Sequence, residues 1–412
     1  MQTKTGLYTI LAVIVMLLFH SPRPAVAVPE IAGEAAVLID GRNGQFLYEK
    51  NPHQQLYPAS TTKILTAVIA LETGKLNDRV TIPAEACNVE GSALGLLAGE
   101  KMSLEDLLYA LMLNSGNDAA VAIAVHVAGS VEKFANLMNE KAAEIGAVNS
   151  HFINPNGLPD PNHYSTAHDL ALISYYAMQN PEFRKIVATK IRTIDRSDPM
   201  AQSYLENHNR LLWNYEGAIG IKNGYTEVAR QCLVSAADRN GRELVAVVLK
   251  TEGANIWTDS QTLLDYGFNG YTNICLTEAG KFVGEVPVRY GLDESVPVQT
   301  GCSLNYNFPL DNPADFRPEV KLAANVNAPV KAGAKLGELV FFEGDRELGR
   351  VDLIAQKQVA RKSLIQIWPW LPAVPVLVFL LVIVRLHNNA RRRRWERYKQ
   401  KYYLSQDNQS LR

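Results

Sequence analysis

The stretch Leu364–Val384 constrains this 412-residue chain more than any other, because its 21 consecutive residues carry no charged side chain. At about 1.5 Å of helical rise per residue such a run reaches roughly 30 Å, the thickness of a bilayer's hydrocarbon core. Pro369, Pro372 and Pro375 make its first half irregular, and Trp368 and Trp370 suit a membrane interface. Arg385, Arg391, Arg392, Arg393, Arg394, Arg397, Lys399 and Lys401 follow. By the positive-inside rule the tail 385–412 is cytoplasmic and everything before the helix lies outside. A buried core helix is the weaker reading, since nothing globular remains to cover it. The expectation is therefore a single-pass protein of the cell membrane, with its folded part on the extracytoplasmic side. The net charge of −1 provides no bulk field for nucleic acid, and the arginine run reads as membrane-flanking.

The other end agrees. In residues 1–27 a weakly basic start at Lys4 precedes the apolar run Leu7–Phe19, then Pro22, Pro24 and the small-residue site Ala25-Val26-Ala27. This is the pattern of an export signal, with a mature chain beginning near Val28. Export permits disulfides without demanding them. Cys275 and Cys302 share the later segment and are candidates for a pair, whereas Cys87 and Cys232 read as buried small hydrophobes.

Between these ends the patterning changes twice. Ala36–Asp40, the turn 41–44 and Gln45–Glu49 read as a strand hairpin. Helical patterning dominates from Ser60 to about Ile186, with Ser103 and Ser130 placed as helix N-caps. Strand patterns return at Gly217–Lys222, Gln231–Ala237 and Glu243–Leu249, the last two joined by the hairpin turn Asp238-Arg239-Asn240-Gly241. The order predicts an α+β domain over 28–270, with an antiparallel sheet and a helical block. From 271 to 359 short alternating runs separated by Gly, Pro, Asn and Asp predict a small all-β domain, a sandwich, without a catalytic constellation.

Ser60 and Lys63 stand three residues apart where an apolar run begins. On a helix starting at the serine they share one face, so the amine can take the hydroxyl proton beside N–H groups that favour negative charge. The pair is common by chance: Ser130 and Lys133 repeat it at an ordinary N-cap. Ser115-Gly116-Asn117, between helices, and Lys222-Asn223-Gly224, at a strand end, follow it in order. That order, on an exported chain, outweighs the separate readings of an N-cap serine, a turn and a solvated lysine.

With their surroundings, Tyr57-Pro58-Ala59-Ser60-Thr61-Thr62-Lys63, Leu113-Asn114-Ser115-Gly116-Asn117-Asp118-Ala119, Asn207-His208-Asn209-Arg210-Leu211-Leu212 and Gly220-Ile221-Lys222-Asn223-Gly224-Tyr225-Thr226 resemble the serine D-Ala-D-Ala carboxypeptidases. These are the low-molecular-mass penicillin-binding proteins, peptidase family S11. The resemblance spans about residues 30–355, since Ala328-Pro329-Val330-Lys331-Ala332-Gly333 is similar to the family's C-terminal β-domain. It implies a β-lactamase/transpeptidase-like fold, peptidoglycan stem peptides ending in D-Ala-D-Ala as substrate, and β-lactam antibiotics as ligands. It further implies Ser60 as nucleophile, Lys63 as base, Ser115 as proton relay, and Asn117 as holder of Lys63 and the substrate amide. Lys222 and Asn223 would face the terminal carboxylate. The backbone N–H groups of Ser60 and Tyr225, the latter following Gly224, would form the oxyanion hole. Two features depart from the family: Asn223 replaces a threonine, and the C-terminus spans the membrane instead of lying on it.

No cofactor or metal is expected. His151, His163, His168 and His208 make no ligand motif and read as structural; Asp169 and Asn209 read as capping or supporting groups. Three rivals share the constellation: a β-lactamase, for which no deacylating acid is assignable, a DD-endopeptidase, and a wall-binding protein whose site has decayed at Asn223.

Overall fold

The computed structural model describes residues 27–198, 200–311 and 315–407; the export signal expected over residues 1–27 lies outside them except for Ala27. Two compact units form, one running to Ile274 and taking in the segment from Asn305, the other comprising Cys275–Leu304 and the chain from Asp315 onward.

The first unit is built on five strands, β1 (Ala35–Asp40), β2 (Phe46–Lys50), β3 (Ala218–Thr226), β4 (Arg230–Arg239) and β5 (Arg242–Thr251). Their order is β2-β1-β5-β4-β3, and every pair is antiparallel. Strand alternation explains the continuous apolar runs in β1 and β5. Val37, Ile39, Val245 and Val247 pack on one side with the helical block; Ala36, Leu38, Leu244 and Ala246 pack on the other with Ile256, Leu263 and Leu264. A sheet covered on both faces needs apolar residues at every position.

The block comprises α1 (Lys63–Thr73), α2 (Leu104–Leu113), α3 (Asn117–Ala128), α4 (Val131–Ile145), α5 (Ala167–Ala177) and α6 (Pro181–Ala188); α7 (Asn255–Gly270) covers the opposite face. Ser103 and Ser130 cap α2 and α4 by accepting from the N–H of Asp106 and Lys133, as their positions predict. In α1, Ile64 through Ala70 are all buried. Each Leu, Ile or Val there contributes about 1.5–3 kcal/mol of burial, which fixes the helix that carries Lys63. Asn307 returns to this unit: its Nδ2 donates to Asp40 Oδ2 (2.7 Å) and its N–H to Gln45 Oε1 (2.8 Å). The composition change near Tyr271 gives no sign of that return.

The second unit is β-rich. Strands β6 (Phe282–Arg289), β7 (Ser295–Thr300), β8 (Arg317–Leu322), β9 (Val326–Asn327), β10 (Lys335–Glu343) and β11 (Arg346–Ala355) form one sheet in the order β8-β10-β11-β7-β6-β9. It is antiparallel except for β6 with β9. Continuous pairing across six strands differs from the two separate sheets of the expected sandwich. The C-terminal helix α8 starts at Ala373, past Pro369 and Pro372, and runs to Asp407; Pro375 sits in its first turn, where a missing N–H costs nothing. The apolar run 364–384 is thus only partly helical by continuity: Leu364–Ile367 is a separate turn of helix. Ala373–Lys401 holds a window long and apolar enough to cross a membrane, and that window is unburied.

All four cysteines are free thiols, including Cys275 and Cys302. Cys232 is buried, which pushes its thiol up to about 12, whereas Cys87 is only partly buried, against expectation.

Candidate active site

A single 3-10 turn, Ala59–Thr62, precedes α1, so Ser60 lies in the approach to the helix rather than at its first residue. The turn is forced tight at Ala59 (φ 48°), against which Gly157 packs so closely that a Cβ there would lie 1.8 Å from the Ala59 carbonyl oxygen. It still brings the pair together: Lys63 Nζ is 3.0 Å from Ser60 Oγ.

Lys63 is fully buried and its Nζ donates to Asn117 Oδ1 and to the main-chain oxygen of Asn156, each at 2.7 Å. Burial, then the nearby Lys222, hold its pKa well below the ordinary lysine value against a smaller opposing pull from Asp118. Two of the three Nζ partners are obligatory acceptors. A neutral amine that satisfies both with its two N–H groups directs its lone pair at Ser60 Oγ.

Asn117 opens α3, and its Nδ2 donates to the carbonyl of Glu90 (2.6 Å), so the amide oxygen is the end left to face Lys63. Ser115 is 6 % exposed in a left-handed conformation (φ 60°). Its hydroxyl makes no hydrogen bond with Lys63 or Lys222 among the described residues.

Lys222-Asn223-Gly224 lies inside β3, the edge strand, and not at its end. Alternation sends Lys222 and Gly224 to the buried face and Asn223 and Tyr225 to the other. Gly224 passes so close to Ser60 that a Cβ would sit 2.6 Å from its backbone nitrogen. Lys222, 1 % exposed, donates to the carbonyl of Asn223 (2.9 Å), and burial pushes its pKa down to about 7. Asn223 and Tyr225 instead line a groove of about 780 Å³ with His208, Arg210, Trp213 and Trp257.

His208, expected to be structural, lines this groove. Its pKa is lowered, mainly by burial and next by Lys222. His163 is structural: it is buried, its Nε2 bonds Thr62 Oγ1 (2.9 Å), and its Nδ1 accepts from the N–H of Ile153 (3.3 Å). That places the proton on Nε2, donating to Thr62. Asp169 accepts from Asn149 N–H and Ser150 Oγ, and Asn209 Oδ1 accepts from Leu211 N–H, both as supporting groups. No group of three or more potential metal ligands occurs among the described residues. The Asn156 carbonyl was not foreseen. Its signal was present in the turn sequence Asn154-Pro155-Asn156-Gly157, where Asn154 Oδ1 accepts from Gly157 N–H (2.7 Å).

Comparisons with known proteins meet this geometry. Residues 23–253 match the family model for D-alanyl-D-alanine carboxypeptidase of the S11 peptidases, and residues 271–361 match the C-terminal domain of penicillin-binding protein 5. The D-alanyl-D-alanine carboxypeptidase DacF of Bacillus subtilis is 32% identical over 345 residues, covering 82% of this chain and 88% of that protein. DacA of Haemophilus influenzae is 32% identical, covering 83% and 89%. The solved penicillin binding protein 5 from Haemophilus influenzae superposes with a TM-score of 0.70 at 30% identity, covering 82% of this chain and all of that one. The fold, the order of the three motifs and these likenesses agree: the chain belongs to the S11 family of serine D-alanyl-D-alanine carboxypeptidases.

Proposed function

We propose that the protein removes the terminal D-alanine from peptidoglycan stem peptides ending in D-Ala-D-Ala through an acyl-enzyme on Ser60, and that β-lactam antibiotics acylate the same oxygen. The observation that carries this is the environment of Lys63. Two carbonyl-type acceptors occupy two positions on Nζ, and the third faces Ser60 Oγ at 3.0 Å. With its pKa lowered by burial, the amine takes the hydroxyl proton as the oxygen attacks the penultimate carbonyl. The C–N bond to D-alanine breaks, the leaving amine receives a proton by way of Ser115, and water then cleaves the ester. Asn117 holds Lys63 and the substrate amide. Lys222 faces the terminal carboxylate from the buried side of β3 and Asn223 from the groove side. The N–H groups of Ser60 and Tyr225 stabilise the oxyanion, and the absence of a side chain at Gly224 lets the strand come that close.

The unburied apolar helix supports membrane anchoring. The arginines that follow it support a cytoplasmic tail and an extracytoplasmic catalytic domain, on the side where peptidoglycan lies.

Mass spectrometry after benzylpenicillin treatment tests the assignment. One adduct is expected, on the peptide containing Ser60; an unlabelled Ser60, or full labelling of Ser60→Ala, overturns it. Asn223 decides between an active and a decayed site. Asparagine keeps a donor for the carboxylate, and a hydrogen bond to a charged group contributes about 1.5–3 kcal/mol. Asn223→Ala should therefore lower kcat/KM about ten- to a hundredfold, with a smaller loss on a substrate whose terminal carboxylate is amidated. Activity in Asn223→Thr with none in the native chain would make the decayed reading the better one.

A further inference from the structure

The segment 89–99 has no regular secondary structure and turns at three glycines of positive φ, Gly91, Gly95 and Gly99. Such a segment has no ladder of its own to hold it, yet it makes two bonds to Asn117. The Glu90 carbonyl accepts from Asn117 Nδ2 (2.6 Å), and the Ser92 carbonyl accepts from Asn117 N–H (2.7 Å). Two buried carboxylates anchor it. Asp118, next to Asn117 on α3, accepts from the N–H groups of Leu94 (2.8 Å) and Leu96 (3.1 Å). Glu100, just past the segment, forms a two-pronged pair with Arg196, Nε to Oε1 at 2.7 Å and Nη2 to Oε2 at 3.0 Å. Their side chains are 2 % and 1 % exposed. The same guanidinium donates onward to the Gly95 carbonyl (3.1 Å) and to that of Gln202 (2.9 Å). Glu100 also accepts from the N–H of Leu97 and of Ser197.

A buried ion pair is poor as a source of stability, because desolvation offsets most of the attraction. A bidentate one is good at fixing geometry. Here it fixes the segment whose carbonyl decides which end of the Asn117 amide faces Lys63. If that amide turned over, an NH₂ group would meet the Lys63 amine, and the orientation of the base toward Ser60 would be lost.

We infer that Arg196 and Glu100 are positioning residues for acyl transfer: they pin the segment 89–99 so that the Glu90 carbonyl holds the Asn117 amide with its oxygen toward Lys63. This rests on the reading of Lys63 and Asn117 as catalytic machinery. Among the described residues neither side chain of the pair hydrogen-bonds Ser60 or Lys63; both act through Asn117.

The test is a double-mutant cycle on the full chain in detergent, read by the second-order rate of acylation by a fluorescent penicillin. Misplacement of a reacting group by ~1 Å costs on the order of a hundredfold. Arg196→Met and Glu100→Gln should each slow acylation by about ten- to a hundredfold. Arg196→Lys should recover part of the rate, since it keeps the charge and loses the fork. In an Asn117→Ala background, already slow, neither substitution should slow the reaction further. Native rates in both variants, or the same fold-loss with and without Asn117, overturn the inference. A general structural role gives that second outcome. Should Arg196→Met lose its near-ultraviolet circular dichroism, Glu100→Gln decides, because it keeps the side-chain volume and one acceptor oxygen. If the native chain is not acylated at all, the functional reading fails first and takes this inference with it. If the native chain is labelled on Ser60 and the variants match it, only the inference fails.

Discussion

Gly224 is the position where one methyl group should do most damage to the chemistry and least to the fold. A Cβ there would lie 2.6 Å from the Ser60 nitrogen, 3.0 Å from Ala59 Cβ and 3.2 Å from Ser60 Cα. Ordinary contact begins near 3.4 Å, so β3 and the Ser60 turn must separate by about 0.8 Å. The turn has little room to yield, since Gly157 packs directly against the Ala59 carbonyl. The strand can, because β3 is at the sheet edge and is bonded only to β4. Displacement of the strand moves the Tyr225 N–H away from the oxyanion. A misplacement of ~1 Å costs on the order of a hundredfold, so Gly224→Ala should lower kcat/KM by roughly ten- to a hundredfold. D-alanine release from a D-Ala-D-Ala peptide and the penicillin acylation rate measure it, beside a thermal melt. A folded Gly224→Ala protein within about twofold of the native rate in both assays would refute the reasoning, and with it the oxyanion role given to β3.

Three further outcomes are expected. Burial lowers Lys222 to about 7 from 10.5, so as the pH falls through that window the unfolded chain takes up a proton that the folded one refuses, and stability declines. Lys222→Met should remove that slope and raise Tm at pH 6 while abolishing carboxypeptidase activity; an unchanged or lower Tm at pH 6 contradicts it. Burial likewise holds His163 at about 4 against an ordinary 6.5, so stability should fall by about 3 kcal/mol between those values as the pH drops, and denaturant titrations of His163→Gln should lack that drop. An enzyme reporter active only outside the membrane should work when fused after Val359 and fail after Arg412; activity at both positions would mean that the helix from Ala373 does not span.

Much of this protein was legible in one dimension because the interactions concerned are local. Ser60 and Lys63 are three residues apart, and a single turn of either helix type brings them together. The N-caps at Ser103 and Ser130 follow from bonds to an N–H three residues on. The apolar stretch near the C-terminus is a property of composition, although the prolines delay the continuous helix to Ala373. The β-strands were recognisable from apolar runs bounded by turn residues. The burial of β1 on both faces was not, because it depends on α7, more than two hundred residues away.

What only the tertiary structure decided is the state of the groups that sequence had named. Nothing in the residues near Lys63 announces the Asn156 carbonyl, 93 positions on, that occupies one of its N–H groups. Nor does anything near Asn117 announce the Glu90 carbonyl that sets its amide. Alternation along β3 put Asn223 on the groove face, where it lines the groove with His208 and Arg210, while Lys222 points to the buried face. Side-chain identity specifies which chemistry a residue can perform. Its protonation, orientation and accessible face depend on desolvation and on partners distant in sequence, and those exist only after the chain has packed.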